Sequence, residues 1–70
     1  IETEIIKLGG PYWRRLIEEG IKRRILSPME IDLLQVAASI DTDRPKVASN
    51  KQAKLIWKIR EKLENNGVLV

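Results

Sequence analysis

Apolar residues recur with a helical period in three separate stretches of this chain, and the residues between them carry helix start and stop signals. In the first stretch Trp13, Leu16, Ile17, Gly20 and Ile21 stand at i, i+3, i+4, i+7 and i+8, which gathers them on one helix face. Arg14, Arg15, Glu18, Glu19, Lys22 and Arg23 cover the opposite side. Gly9-Gly10 precedes Pro11, whose missing N–H removes no hydrogen bond at the first helical position. Gly20 reads in two ways: as a left-handed cap ending the helix, or as a point where another helix packs close to the backbone.

The second stretch opens on Ser27-Pro28-Met29-Glu30, a capping box in which Ser27 and Glu30 accept from each other's backbone N–H groups. Leu26 and Ile31 stand where a hydrophobic staple places them. Ile31, Leu33, Leu34, Val36, Ala37, Ala38 and Ile40 leave only Asp32, Gln35 and Ser39 as a polar strip, an arc wide enough to predict the central helix of a bundle. Asp41-Thr42-Asp43-Arg44-Pro45 reads as a loop, with Arg44 pushed out of the helical region by Pro45.

A second capping box, Ser49-Asn50-Lys51-Gln52, starts the third helix. Ala53, Ile56, Ile59 and Leu63 form its inward face, with Leu55 and Trp57 on the flanks. Gly67 as a left-handed residue would close it in a Schellman motif, bringing Leu63 and Val68 together. At the chain ends, Ile1, Ile5 and Leu8 suggest the last turns of a helix whose body lies upstream, and Val68–Val70 a short strand or a packed tail. The pattern predicts an all-α fold: a small three-helix bundle with its core over about 11–67, plus a short C-terminal strand or an extra N-terminal helical turn.

Seventy residues form one domain at most, and a domain of this size hides only about 60% of the surface its unfolded chain exposes. The balance of 43% hydrophobic to 33% charged residues suits a folded helical unit rather than a disordered one. The opening Ile1-Glu2-Thr3-Glu4, without an initiating Met, leads us to expect a fragment of a larger protein. No apolar run approaches the roughly 20 residues that span a bilayer. The absence of cysteine rules out a disulfide scaffold and is compatible with a cytoplasmic location.

Composition also narrows the chemistry. Without His or Cys, neither a Ser-His-Asp nor a Cys-His arrangement can be built, and the usual zinc ligands are missing. Ser27 and Ser49 are explained as caps, and Ser39 as part of the polar strip. Gly9-Gly10 before a proline lacks the N–H donors of a phosphate loop. Glu18-Glu19 reads as solvated surface, and Asp41-Thr42-Asp43 falls short of a calcium loop. We therefore expect no enzyme, no catalytic residue, no cofactor, no metal and no small-molecule substrate.

Charge is unevenly placed. Between residues 44 and 62, Arg44, Lys46, Lys51, Lys54, Lys58, Arg60 and Lys62 face a single acid, Glu61, whereas residues 1–43 are slightly acidic. Lys51, Lys54, Lys58 and Lys62 fall within an arc of roughly 80° on the third helix, opposite its apolar face. That stripe is the candidate contact surface for nucleic-acid phosphates or for an acidic protein, or it is the solvated side of an amphipathic helix. No exposed aromatic is interleaved with the lysines to stack bases. Arg60 projects toward the apolar face, where it is expected to snorkel or to pair with an acid such as Asp41 or Asp43. Trp13 and Trp57 are expected in the core.

The order of features has a counterpart. An aromatic-led helix, Tyr12-Trp13-Arg14-Arg15-Leu16, is followed by Leu26-Ser27-Pro28-Met29-Glu30-Ile31, a proline-containing loop, Ser49-Asn50-Lys51-Gln52-Ala53-Lys54 and a helix closed by Gly67. Over roughly residues 12–67 this resembles the C-terminal helical region of the bacterial abortive-infection phage-resistance family and associated helicase-like defence proteins. The resemblance implies an accessory domain of a cytoplasmic phage-defence protein whose active part lies elsewhere, with no functional residue to carry over.

Two functions are therefore expected. One is a non-catalytic accessory helical module with a structural or protein-interaction role, its partners the other domains of the parent protein. The alternative is a nucleic-acid-binding domain contacting DNA or RNA through Lys51, Lys54, Lys58 and Lys62. A winged-helix arrangement fits poorly, because the gap over 41–48 is long for a helix-turn-helix.

Overall fold

A computed structural model describes residues 2–39 and 49–70, which form α1 (Glu2–Leu8), α2 (Gly10–Lys22), α3 (Pro28–Ala38) and α4 (Asn50–Asn65). There is no strand among the described residues. The fold is an all-α bundle, as expected, but the described residues form four helices rather than three. Ile1, Ile40 and the loop expected over 41–45 lie outside the described residues.

The fourth helix is α1, and Gly9 explains why it is separate. Gly9 sits at φ 83°, ψ 161°, a backbone region essentially closed to residues with a Cβ. Helical dihedrals cannot run from Leu8 into Gly10, so the chain stops and restarts with Pro11 in the first turn of α2. Ile5 anchors α1 in the core at 3% exposure, and the buried Trp13 Nε1 donates to its carbonyl at 3.0 Å. The core thus extends beyond 11–67, taking in Ile5 at one end and Val68 at the other.

The helix of α2 continues through Gly20, which resolves that residue's double reading. A Cβ there would overlap the Leu26 side chain and come within 3.3 Å of Leu63 Cδ2, so glycine is needed for close packing. The helix ends at Lys22, two residues later, without a glycine. Arg24 takes the left-handed conformation at φ 56°. Its N–H donates to Ile21 O at 3.1 Å and the N–H of Ile25 to Gly20 O at 2.9 Å, a complete Schellman closure. Trp13, Leu16 and Gly20 are buried, whereas Ile21 is left about half exposed.

Both predicted capping boxes form. Ser27 Oγ accepts from Glu30 N at 3.3 Å while Glu30 Oε1 accepts from Ser27 N at 2.9 Å. Ser49 and Gln52 repeat the exchange at 3.2 and 3.0 Å. On α4 the expected inward face is the observed one: Ala53, Ile56, Ile59 and Leu63 are all buried. Gly67, at φ 88°, sends its N–H to Glu64 O and Val68 sends its own to Leu63 O, both at 3.0 Å. With its amide committed to closing α4 and its side chain buried against the core, Val68 continues as a tail and not as a strand.

On α3 the wide apolar arc is only partly covered. Leu34, Ala37 and Ala38 are buried, Ile31, Leu33 and Val36 are half-buried, and Met29 is 70% exposed. In so small a bundle α2 and α4 cover one side of α3, and an arc of more than half the circumference exceeds what they reach.

Candidate interaction face on α4

A single capping box places α4 in register, and its 3.6-residue period sets the inward face and the lysine face opposite each other. Lys51, Lys54, Lys58 and Lys62 are all exposed, as their spacing predicts. They do not form four equivalent cations. Lys62 Nζ lies 2.9 and 3.1 Å from the two carboxylate oxygens of Glu30 on α3. The Ser27 N–H, and with it the Lys62 ammonium, holds the Glu30 carboxyl below the usual carboxylate range, against the opposing effect of burial. Glu30 thus joins the start of α3 to the last turns of α4, and Lys62 belongs to that clasp. Lys51, Lys54 and Lys58 make no ion pair or hydrogen bond among the described residues.

Side by side at i, i+3 and i+7, these three cations repel one another weakly, and although Glu61 stands three residues beyond Lys58, no ion pair among the described residues relieves them. An anionic partner would. The opposite edge of α4 differs: Trp57, Glu61 and Glu64 follow one another at helical spacing there. The charge is therefore positive along the lysine row, and mixed on the other edge, where Glu61 and Glu64 stand with Arg60.

Arg60 occupies that second edge and is satisfied in a way its sequence position did not announce. Its Nε donates to Tyr12 Oη at 2.8 Å, and its guanidinium lies 4.7 Å from the centre of the half-buried Trp57 ring. Tyr12 in turn donates to Val70 O at 3.1 Å and packs edge-on against Trp13. Asp41 and Asp43, the acids suggested as partners, lie outside the described residues. Trp13 is in the core, while Trp57 sits at its margin under the arginine. The Tyr12 anchor was missed because a tyrosine at the start of a helix carries no mark of a partner 48 residues away.

An open groove of about 340 Å³ lies between α2 and α3, lined by Arg14, Ile17, Glu18, Gln35, Ala38 and Ser39. Arg14 Nη1 donates to Ala38 O there at 3.0 Å, meeting the carbonyl end of α3. Glu19 pairs with Arg23 at 3.3 Å along the same helix. No cluster of acidic side chains able to hold a metal ion occurs among the described residues, and none of their helices is long and apolar enough to cross a membrane. Comparison with protein families, characterised proteins and solved structures finds no match to this chain.

Proposed function

We propose that the chain is a non-catalytic accessory module of a larger cytoplasmic protein, working by contact with another protein and not by chemistry of its own. The observation that carries this reading is the open row of Lys51, Lys54 and Lys58, three exposed cations with no ion pair among the described residues. Elsewhere several of the described polar side chains are engaged in holding the fold. Ser27 and Ser49 cap helices, Ser39 bonds to Val36 O, Glu30 clasps two helices, and Tyr12 links Arg60 to the tail. The resemblance of residues 12–67 to phage-resistance proteins adds support for an accessory role beside an active part elsewhere.

The same lysines favour one second reading, a nucleic-acid backbone as the anion. A titration of the chain by fluorescence anisotropy separates the two, using labelled polyglutamate and single- and double-stranded DNA and RNA at about 50 and 200 mM salt. The protein reading expects polyglutamate to bind with salt-sensitive affinity at least equal to that of the nucleic acids. Preference for DNA or RNA at both salts would transfer the face to nucleic-acid contact. Silence from every polyanion at the lower salt would leave the lysines a solvated face and end both readings.

A further inference from the structure

The lysine row has an apolar neighbour that an anion alone does not use. Leu55 stands between Lys51 and Lys58 on the α3 side of α4 and is 40% exposed. It lies seven residues before Lys62, almost in line with it along the helix, about 10 Å away. Lys62 meets Glu30 in the first turn of α3. Because α3 and α4 pack side by side with the start of one at the end of the other, they run in opposite senses. Going from Glu30 to Leu33 along α3 therefore leads from the level of Lys62 towards that of Leu55. Met29, which precedes Glu30, is 70% exposed, and Leu33 is half-buried against the core. The α3–α4 seam thus offers Met29, Leu33 and Leu55 as an apolar strip, bordered by Lys51, Lys54 and Lys58.

From this arrangement we infer that the seam is a docking site for an acidic amphipathic helix of a partner protein. This rests on the contact reading above and specifies it. A helix laid in a seam anchors itself through apolar residues at i, i+3 or i+4 and i+7, and buries them against side chains such as Met, which adapts to a range of shapes. Carboxylates flanking that stripe would meet the three unpartnered lysines, giving both attraction and register. A phosphate backbone satisfies the lysines but gains nothing from Met29, Leu33 or Leu55. Glu64 on the far edge of α4 and Glu61 beside Lys54 oppose a polyanion that wraps the helix more than one that lies in the seam on the other side of the lysine row.

The test uses the 70-residue chain and a helical peptide of about 18 residues, five turns. The peptide is built from glutamate with leucines at i, i+4 and i+7, and a scrambled isomer and polyglutamate serve as controls. Binding by anisotropy is paired with a shift map from isotope-labelled protein. The patterned peptide should bind at least about tenfold more tightly than its scrambled isomer, as expected when a few buried apolar anchors carry the affinity. Its largest shifts should fall on Met29, Leu33 and Leu55. Leu55→Asp should abolish the preference for the patterned peptide, while Leu69→Asp, at the 83% exposed tail, should leave it unchanged. Equal binding of the two isomers overturns the docking site while leaving the charged face intact, and a shift map centred on Ile6 or Leu69 overturns the docking site by placing the contact elsewhere. Binding of nucleic acid without binding of either peptide overturns the docking site together with the protein reading on which it rests.

Discussion

Replacing Glu30 by Gln tests how the bundle is held together, because it changes charge with little change of shape. An amide at this position still offers an oxygen to the Ser27 N–H, now received at 2.9 Å, but it no longer attracts Lys62, whose Nζ lies 2.9 and 3.1 Å from the carboxylate oxygens. The lost ion pair is partly exposed on the lysine side and contributes about 0.2–1 kcal/mol. The lost negative charge at the N-terminus of α3 contributes about 0.3–1 kcal/mol more. The total is about 1 kcal/mol, which lowers the melting temperature of so small a domain by about 4–8 °C. The pH dependence follows from the direction of the Glu30 shift. Its carboxyl titrates lower in the folded state than in the unfolded one, so its stabilisation is full above the ordinary carboxylate range and is lost as the pH falls through the folded value. Thermal melts of wild type and Glu30→Gln, followed by circular dichroism, should therefore differ at pH 7 and converge near pH 2. In a cycle with Lys62→Met, the two substitutions should couple rather than add. A gap that persists unchanged into acid, together with strict additivity, would refute the clasp.

Three other substitutions probe separate parts of the fold by the same melts. Ser27→Ala removes the acceptor for Glu30 N and should destabilise by about 0.5–2 kcal/mol; an unchanged melt would contradict the cap that starts α3. Leu34→Ala empties a fully buried core position on α3 and should cost about 2–5 kcal/mol, enough to unfold much of the population at room temperature. Arg24→Gly relieves a left-handed backbone at an exposed site and should raise stability by about 0.5–1 kcal/mol, whereas a lower melting temperature would show that the arginine side chain contributes more than its strained backbone takes away.

What could be read from the sequence was what local rules determine. The whole of α4 was legible because the Ser49–Gln52 box, a single apolar face and Gly67 agree on one helix with one inward side. The start of α3 was legible from Ser27 and Glu30 for the same reason. Its burial was not, since apolar composition states what a helix can bury and not how much its neighbours reach, and Met29 is the result. The separate helix α1 was hidden by length, because seven residues with three apolar positions look like the fraying end of something longer. The end of α2 was hidden because its left-handed residue is Arg24 and not glycine. In the candidate face, the positions of Lys51, Lys54 and Lys58 followed from period alone. The different standing of Lys62 depends on Glu30, 32 residues away in sequence, and that of Arg60 on Tyr12, 48 away. Contacts at such separations are products of packing, and a single chain's pattern does not encode them locally.

The central claim, that the lysine face of α4 is a contact surface independent of the fold, is tested most directly by Lys54→Glu combined with Lys58→Glu. Both side chains are exposed and make no ion pair among the described residues, so the double variant should melt close to wild type, each surface change lying within about 0.5 kcal/mol. Measured on the same sample, affinity for polyglutamate and for the acidic amphipathic peptide should be lost. A variant that stays folded and binds both as tightly as wild type would contradict the claim.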